Sequence, residues 1–193
     1  HDRTNRRGGG VLIAIKNNLT SLITHDDTLE LTWVRVSNVA QKAIFGICYR
    51  PPDSEPGFSI LLSNSLTRIK DKFSDAPIFL FGDFNFPQIN WPLLSAPSAS
   101  PSNESKQFLD LTLDFNLHQA ITCPTRGDNT LDLLLTSSPD DIKRTIVLPG
   151  FSDHNLIHNC ISLPLIRRSP TEKFITDYKR GNYDAINDKL GSF

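Results

Sequence analysis

The 193-residue sequence has no methionine, only three cysteines, two tryptophans and three tyrosines, and no excess of charge of either sign. A chain without methionine that opens on His1 reads as an internal or processed piece of something longer. Cys48, Cys123 and Cys160 are odd in number and widely spaced, with no C-x-x-C pair, which excludes a disulfide framework and a zinc site. Cys48 lies in an apolar run and reads as a buried free thiol. No apolar run approaches the roughly 20 residues that span a bilayer, and the first residues show no signal-peptide pattern. Reduced thiols without a secretory signal point to an intracellular chain. The net charge is −1, with both ends basic (+2 over 1–10 and +2 over 165–193), which leaves −5 across 11–164. An acidic middle excludes a protein that grips nucleic acid mainly by bulk electrostatics. It suits a carboxylate site that holds a cation, or simply a solvated acidic surface. At 38% hydrophobic and 21% charged residues, the chain is too apolar for disorder and long enough for one substantial core.

The apolar pattern predicts a sheet-rich α+β domain. Val11–Ile15 reads as a buried strand after the Gly8–Gly10 run, and Leu31–Ser37 alternates as a half-buried strand. Ala43–Tyr49 is a third strand, stopped by Pro51-Pro52. Phe58, Leu61, Leu62, Leu66, Ile69 and Phe73 fall on one face of an amphipathic helix. Ile78–Phe81 is a buried strand, Ser95–Asn103 a Ser/Pro/Ala loop, and Glu104–Phe115 a second helix with Phe108, Leu111 and Phe115 on its stripe. Leu131–Leu135, Thr145–Leu148 and Leu156–Leu163 read as further strands. Helices set between groups of strands, rather than after each one, argue against a regular βαβ series.

Several strands end in polar residues that their apolar runs do not need. Ala43–Tyr49 ends at Tyr49-Arg50, and Ile78–Phe81 runs into Gly82-Asp83-Phe84-Asn85. Leu131–Leu135 carries Asp132 near its start, and Ser152-Asp153-His154-Asn155 precedes the last long strand. Taken singly, Gly-Asp-x-Asn and Ser-Asp-His are ordinary turn sequences, with Asp and Asn serving the backbone. Taken together in this order, they suit metal-assisted phosphodiester cleavage. Asp and Asn oxygens are hard ligands suited to magnesium. A carboxylate such as Asp83 can orient and deprotonate a water. His154 and the Tyr49 hydroxyl can donate to phosphate oxygens whose charge grows in the transition state.

The local wording sharpens this. Arg7-Gly8-Gly9-Gly10-Val11, Tyr49-Arg50-Pro51-Pro52, Phe81-Gly82-Asp83-Phe84-Asn85, Pro124-Thr125-Arg126, Leu131-Asp132-Leu133 and Ser152-Asp153-His154 occur in that order. From about Arg7 to Pro164 the sequence resembles the endonuclease/exonuclease/phosphatase superfamily, specifically the apurinic-type endonuclease domain of non-LTR retrotransposons. The resemblance implies a DNase I-like four-layer αββα sandwich over residues 1–164, with 165–193 a linker or terminal helix toward a reverse transcriptase domain. It implies a Mg2+-dependent DNA endonuclease (Mn2+ the alternative ion) that leaves a 3′-hydroxyl to prime reverse transcription, with the nucleus as its place of action. By motif, Tyr49 matches the phosphate-contacting tyrosine, Asp83 the water-activating aspartate and Asn85 the transition-state asparagine. Asp132 matches the aspartate that supports the catalytic cluster and Asp153 the aspartate paired with the histidine. His154 matches the histidine on the scissile phosphate. The metal ligands implied are Asp83, Asn85 and Asp153, and the substrate contacts Thr125, Arg126 and His154.

In that family two strands, the second ending in a metal-binding glutamate, precede the RGGGV segment. Glu30, Glu55, Glu104 and Glu172 all follow it here. The expectation is a sandwich lacking its first strands, marginally stable and inactive or nearly so as this chain alone. Two other readings stand beside the endonuclease: a non-catalytic nucleic-acid-binding remnant, and a phosphatase of the same superfamily.

Overall fold

The computed structural model describes residues 10–17, 19, 21–26, 28–37, 42–97, 103–163, 179 and 181–191. Six strands form one sheet: β1 (Ser21–Asp26), β2 (Glu30–Val36), β3 (Ala43–Tyr49), β4 (Ile78–Asp83), β5 (His118–Gln119) and β6 (Asp132–Thr136), in the order β1-β2-β3-β4-β6-β5. β7 (Ile142–Leu148) and β8 (Leu156–Ile161) make a separate antiparallel pair. Helices α1 (Phe58–Lys72) and α2 (Glu104–Asp114) connect the strands, and α3 (Tyr183–Leu190) lies near the C-terminus.

Alternation along the central strands sorts their side chains into two cores. Leu31, Trp33, Ile44, Cys48, Ile78, Leu80, Leu133 and Leu135 pack with α1 and α2. Their neighbours Ala43, Phe79 and Leu134 face the other way and pack against Ile142, Val147, Ile157 and Ile161 of the β7–β8 pair. The layers seen among the described residues are therefore helices, large sheet and small sheet. The close fit of α1 depends on Gly46, where a Cβ would lie 2.4 Å from the Trp33 ring. That ring in turn donates Nε1–H to Ser65 of α1 at 3.1 Å.

β3 and β4 are parallel, joined through α1, while β6 runs antiparallel to β4. In this register Tyr49 pairs with Asp83 and Asp83 with Asp132. Three polar side chains thus stand in one row at one edge of the sheet. Their row neighbours Cys48 and Leu133 belong to the helix-side core, so the row itself faces the small sheet.

Most predicted elements are present with ends shifted by one to three residues. Val11–Ile15 is a correction: it joins no strand among the described residues. Ile13 and Ile15 instead lie across Val34, Val36 and Phe45. An apolar run supplies a surface to bury but not a ladder partner. The predictions on Arg7–Gly9, on 98–102 within the Ser/Pro/Ala loop, and on 164–178 lie outside the described residues. β1 and the two-residue β5 were not predicted. No described helix is long and apolar enough to cross a membrane.

Candidate active site

Asp83 closes β4, and the chain turns sharply after it. The Asp83 carbonyl accepts from the backbone N–H of Arg50 at 2.9 Å, and Phe84 N–H donates to the Leu131 carbonyl at 2.9 Å. Asn85 sits in the left-handed region at φ 51°, where its N–H donates to the Asp83 carboxylate at 3.2 Å. Asn and Asp tolerate that backbone better than other non-glycine residues. The Asn85 side-chain NH2 donates to the Arg50 carbonyl at 2.8 Å, so Oδ1 is the atom this amide can offer to a ligand.

The loop between β7 and β8 brings His154 over this row. Its Nδ1 hydrogen-bonds the Asp132 carboxylate at 2.8 Å, and its Nε2 lies 3.9 Å from the Asp83 carboxylate. Asp83, Asp132 and His154 form a cluster whose ligand atoms lie within 4.8 Å of one another. Burial raises the Asp83 pKa above the ordinary carboxylate value, and the Asp132 charge adds to this, while His154 and the hydrogen bonds of Asn85 partly offset both. Two half-buried carboxylates held this close favour a bound cation or a shared proton. Their hard oxygens fit a divalent ion such as magnesium. A cavity of about 410 Å3 opens beside the row, lined by Tyr49, Asp83, Asp132 and Asn155 with Leu12 and Ile157 as apolar walls.

The structure gathers Tyr49, Asp83, Asn85, Asp132 and His154 at one edge. Two of the expected contacts lie elsewhere. Asp153 does not join the acidic cluster: its carboxylate pairs with Arg126 at 2.6 Å and its side chain is 63% exposed. Adjacent residues in a turn point apart, and His154 takes the inward position. Thr125 is 0% exposed, so it is not placed to touch a substrate. Its hydroxyl accepts from the N–H groups of Leu131 and Asp132, both at 3.0 Å, and so fixes the start of β6. Arg126 lies in a tight hairpin closed by reciprocal bonds with Asn129, with Gly127 at φ 54°. That hairpin is tied to the His154 loop, because Asn155 N–H donates to the Thr125 carbonyl at 2.7 Å. The Asp132–His154 pairing and the contacts of Arg50 were not foreseen. Only the Tyr49-Arg50 wording of the motif hinted at the second.

A family model described as endonuclease-reverse transcriptase matches residues 43–158, more than half of the chain. The chain belongs to this family, within the endonuclease/exonuclease/phosphatase superfamily. The matched span holds every site residue described above. Among solved structures it is similar to the endonuclease domain of TRAS1, a telomere-specific non-LTR retrotransposon, at 18% identity and a TM-score of 0.57. That likeness covers 76% of this chain and 70% of the TRAS1 domain. It supports the DNase I-like α+β fold. A mannosyl-6-phosphatase of Bacteroides thetaiotaomicron is similar at 14% identity and a TM-score of 0.44, over 66% of this chain and 54% of its own. The human Nocturnin catalytic domain is similar at 15% and 0.41, over 69% and 51%. The chain thus spans about half the length of these last two. No curated protein sequence matches it.

Proposed function

We propose that this member of the endonuclease-reverse transcriptase family hydrolyses phosphodiester bonds in DNA, as a retroelement nuclease that leaves a 3′-hydroxyl for a reverse transcriptase. The observation that carries the reading is the Asp83–Asp132–His154 cluster at one sheet edge, in register with Tyr49 and beside Asn85. Asp83, with Asp132 and Asn85 beside it, would hold Mg2+, which when bound supplies a Lewis acid for the phosphate oxygens. An Asp83 oxygen free of the ion would accept a proton from the attacking water. Asp132 fixes the imidazole of His154 through Nδ1, which turns Nε2 toward the cleft. There, as the imidazolium, His154 can donate Nε2–H to a phosphate oxygen as charge builds. The Tyr49 hydroxyl and the Asn85 amide are the remaining polar groups at this edge.

The test is nicking of supercoiled plasmid by the purified chain. Slow, Mg2+-dependent conversion to the open circle is expected, abolished by a chelator and reduced at least about 100-fold in Asp83→Ala and His154→Ala. Absence of nicking with both Mg2+ and Mn2+ favours the non-catalytic reading of this chain, and rates unchanged in the two variants overturn the assignment of these residues. Hydrolysis of phosphomonoesters without cleavage of DNA overturns the nuclease reading.

A further inference from the structure

Arg50 follows the last residue of β3 and is only 7% exposed. A buried guanidinium needs compensation for the water it loses. Here the compensation comes from the catalytic turn and from an aromatic cage. Nη1 donates to the carbonyls of Phe84 and Asn85, at 3.5 and 3.2 Å. The charge centre lies 4.2 Å from the Phe86 ring centroid and 5.7 Å from that of Phe58. The Arg50 backbone grips the same turn from the other side, through its N–H to Asp83 and its carbonyl from the Asn85 amide. Four hydrogen bonds therefore join this one residue to the segment Asp83–Asn85.

We propose that Arg50 is a positioning residue, whose buried guanidinium holds the Asp83–Asn85 turn in its working shape. The proposal rests on the nuclease reading for its activity readout. The turn is not an intrinsically favoured one. Asn85 at φ 51° lies in the left-handed region, which non-glycine residues, Asn less strictly than most, adopt only where their surroundings hold them there. In the closed turn the Phe84 and Asn85 carbonyls share the same Nη1 donor. The planar guanidinium also stacks on Phe86 in a way that a lysine ammonium does not reproduce.

Arg50→Met keeps length and apolar packing but removes the donors, and Arg50→Lys keeps the charge. Two measurements separate the outcomes. The first is kcat and KM on a duplex oligonucleotide with Mg2+. The second is the Asn85 three-bond HN–Hα coupling by NMR, read with the intraresidue HN–Hα NOE that is strong at positive φ, which together report φ without any catalysis. For Arg50→Met the expected result is a kcat lowered about 30-fold with KM within about twofold, and a changed Asn85 coupling. For Arg50→Lys the coupling stays native and part of the lost kcat returns, a measurement that stands even if Arg50→Met fails to fold. An Asn85 coupling unchanged in folded Arg50→Met overturns the proposal, as does a rise in KM at constant kcat. If the unsubstituted chain cleaves no DNA, the nuclease reading fails, and the coupling still decides the role of Arg50.

Discussion

Helix α1 begins without a cap of its own, and its stability should therefore depend on a residue 47 positions away. Its N-cap position is Gly57 at φ 103°, with no side-chain cap and no acidic residue in the first turn. The unpaired N–H groups of a helix start need acceptors. Glu104, the first residue of α2, supplies them: Oε1 accepts from Gly57 N–H at 2.5 Å, and Oε2 from Ser59 N–H at 3.3 Å and Ser59 Oγ at 3.0 Å. Glu104→Ala removes all three bonds and the negative charge at the helix N-terminus. Losing a cap costs about 1 kcal/mol, and losing the partly buried charge at the dipole adds about 0.5–1 kcal/mol. The Ser59 hydroxyl is left with the longer bond to the Glu104 carbonyl at 3.4 Å, which adds up to about 1 kcal/mol. The expected loss is about 2–3 kcal/mol, a substantial share of the roughly 5–15 kcal/mol of a typical domain. At about 2–4 °C per kcal/mol for a chain of this size, Tm falls by about 5–10 °C. Glu104→Gln keeps one acceptor oxygen and loses the charge, so it should cost about 1 kcal/mol. Urea denaturation followed by circular dichroism gives both values, and hydrogen exchange locates the loss. A change below about 0.5 kcal/mol for Glu104→Ala refutes the reasoning. So does a larger loss in which the first-turn amides of α1 exchange as before.

Gly82→Ala should separate β3 from β4 beside the site, because the new Cβ would meet the Cys48 carbonyl oxygen at 1.9 Å. Destabilisation of about 3 kcal/mol or more is expected, together with loss of nicking, although no catalytic atom is changed; a variant that melts like the parent contradicts the register. Asp26 gives a pH prediction. Burial pushes its pKa up, but hydrogen bonds from Thr28 and Ser65 and the Arg68 charge outweigh this and hold it below the ordinary value. A depressed pKa contributes stability above the unfolded value of about 3.9 and loses it as pH falls through the folded value. Asp26→Asn should therefore be less stable than the parent near neutrality, with the gap closing on acidification below about pH 4; a gap constant across that range refutes the assignment.

The site was legible where chemistry interrupts an apolar strand, because a buried run has no packing reason to end in Asp. Asp83 and Asp132 declare themselves this way, and Tyr49 does so at the end of β3. The structure adds their alignment, pairing Tyr49 with Asp83 and Asp83 with Asp132. Adjacency in a turn carries no such information. Asp153 and His154 read as one unit, yet one pairs with Arg126 in solvent and the other with Asp132 in the cleft. β1 was missed for the opposite reason. Its Leu22 and Ile23 are both exposed, so it is held by its ladder with β2 rather than by a buried face, and a hydropathy pattern has nothing to report. Arg50 and Thr125 lie beyond any local pattern. Each is polar and buried with partners elsewhere in the chain, the Phe58 and Phe86 rings and the Phe84 and Asn85 carbonyls for the one, whose Nε is left without a partner, and the start of β6 for the other. Thr125, beside Arg126 in the Pro124-Thr125-Arg126 motif, invites a reading as a substrate contact. Burial decides against it, because a side chain closed off from solvent acts on a substrate only through the residues it holds.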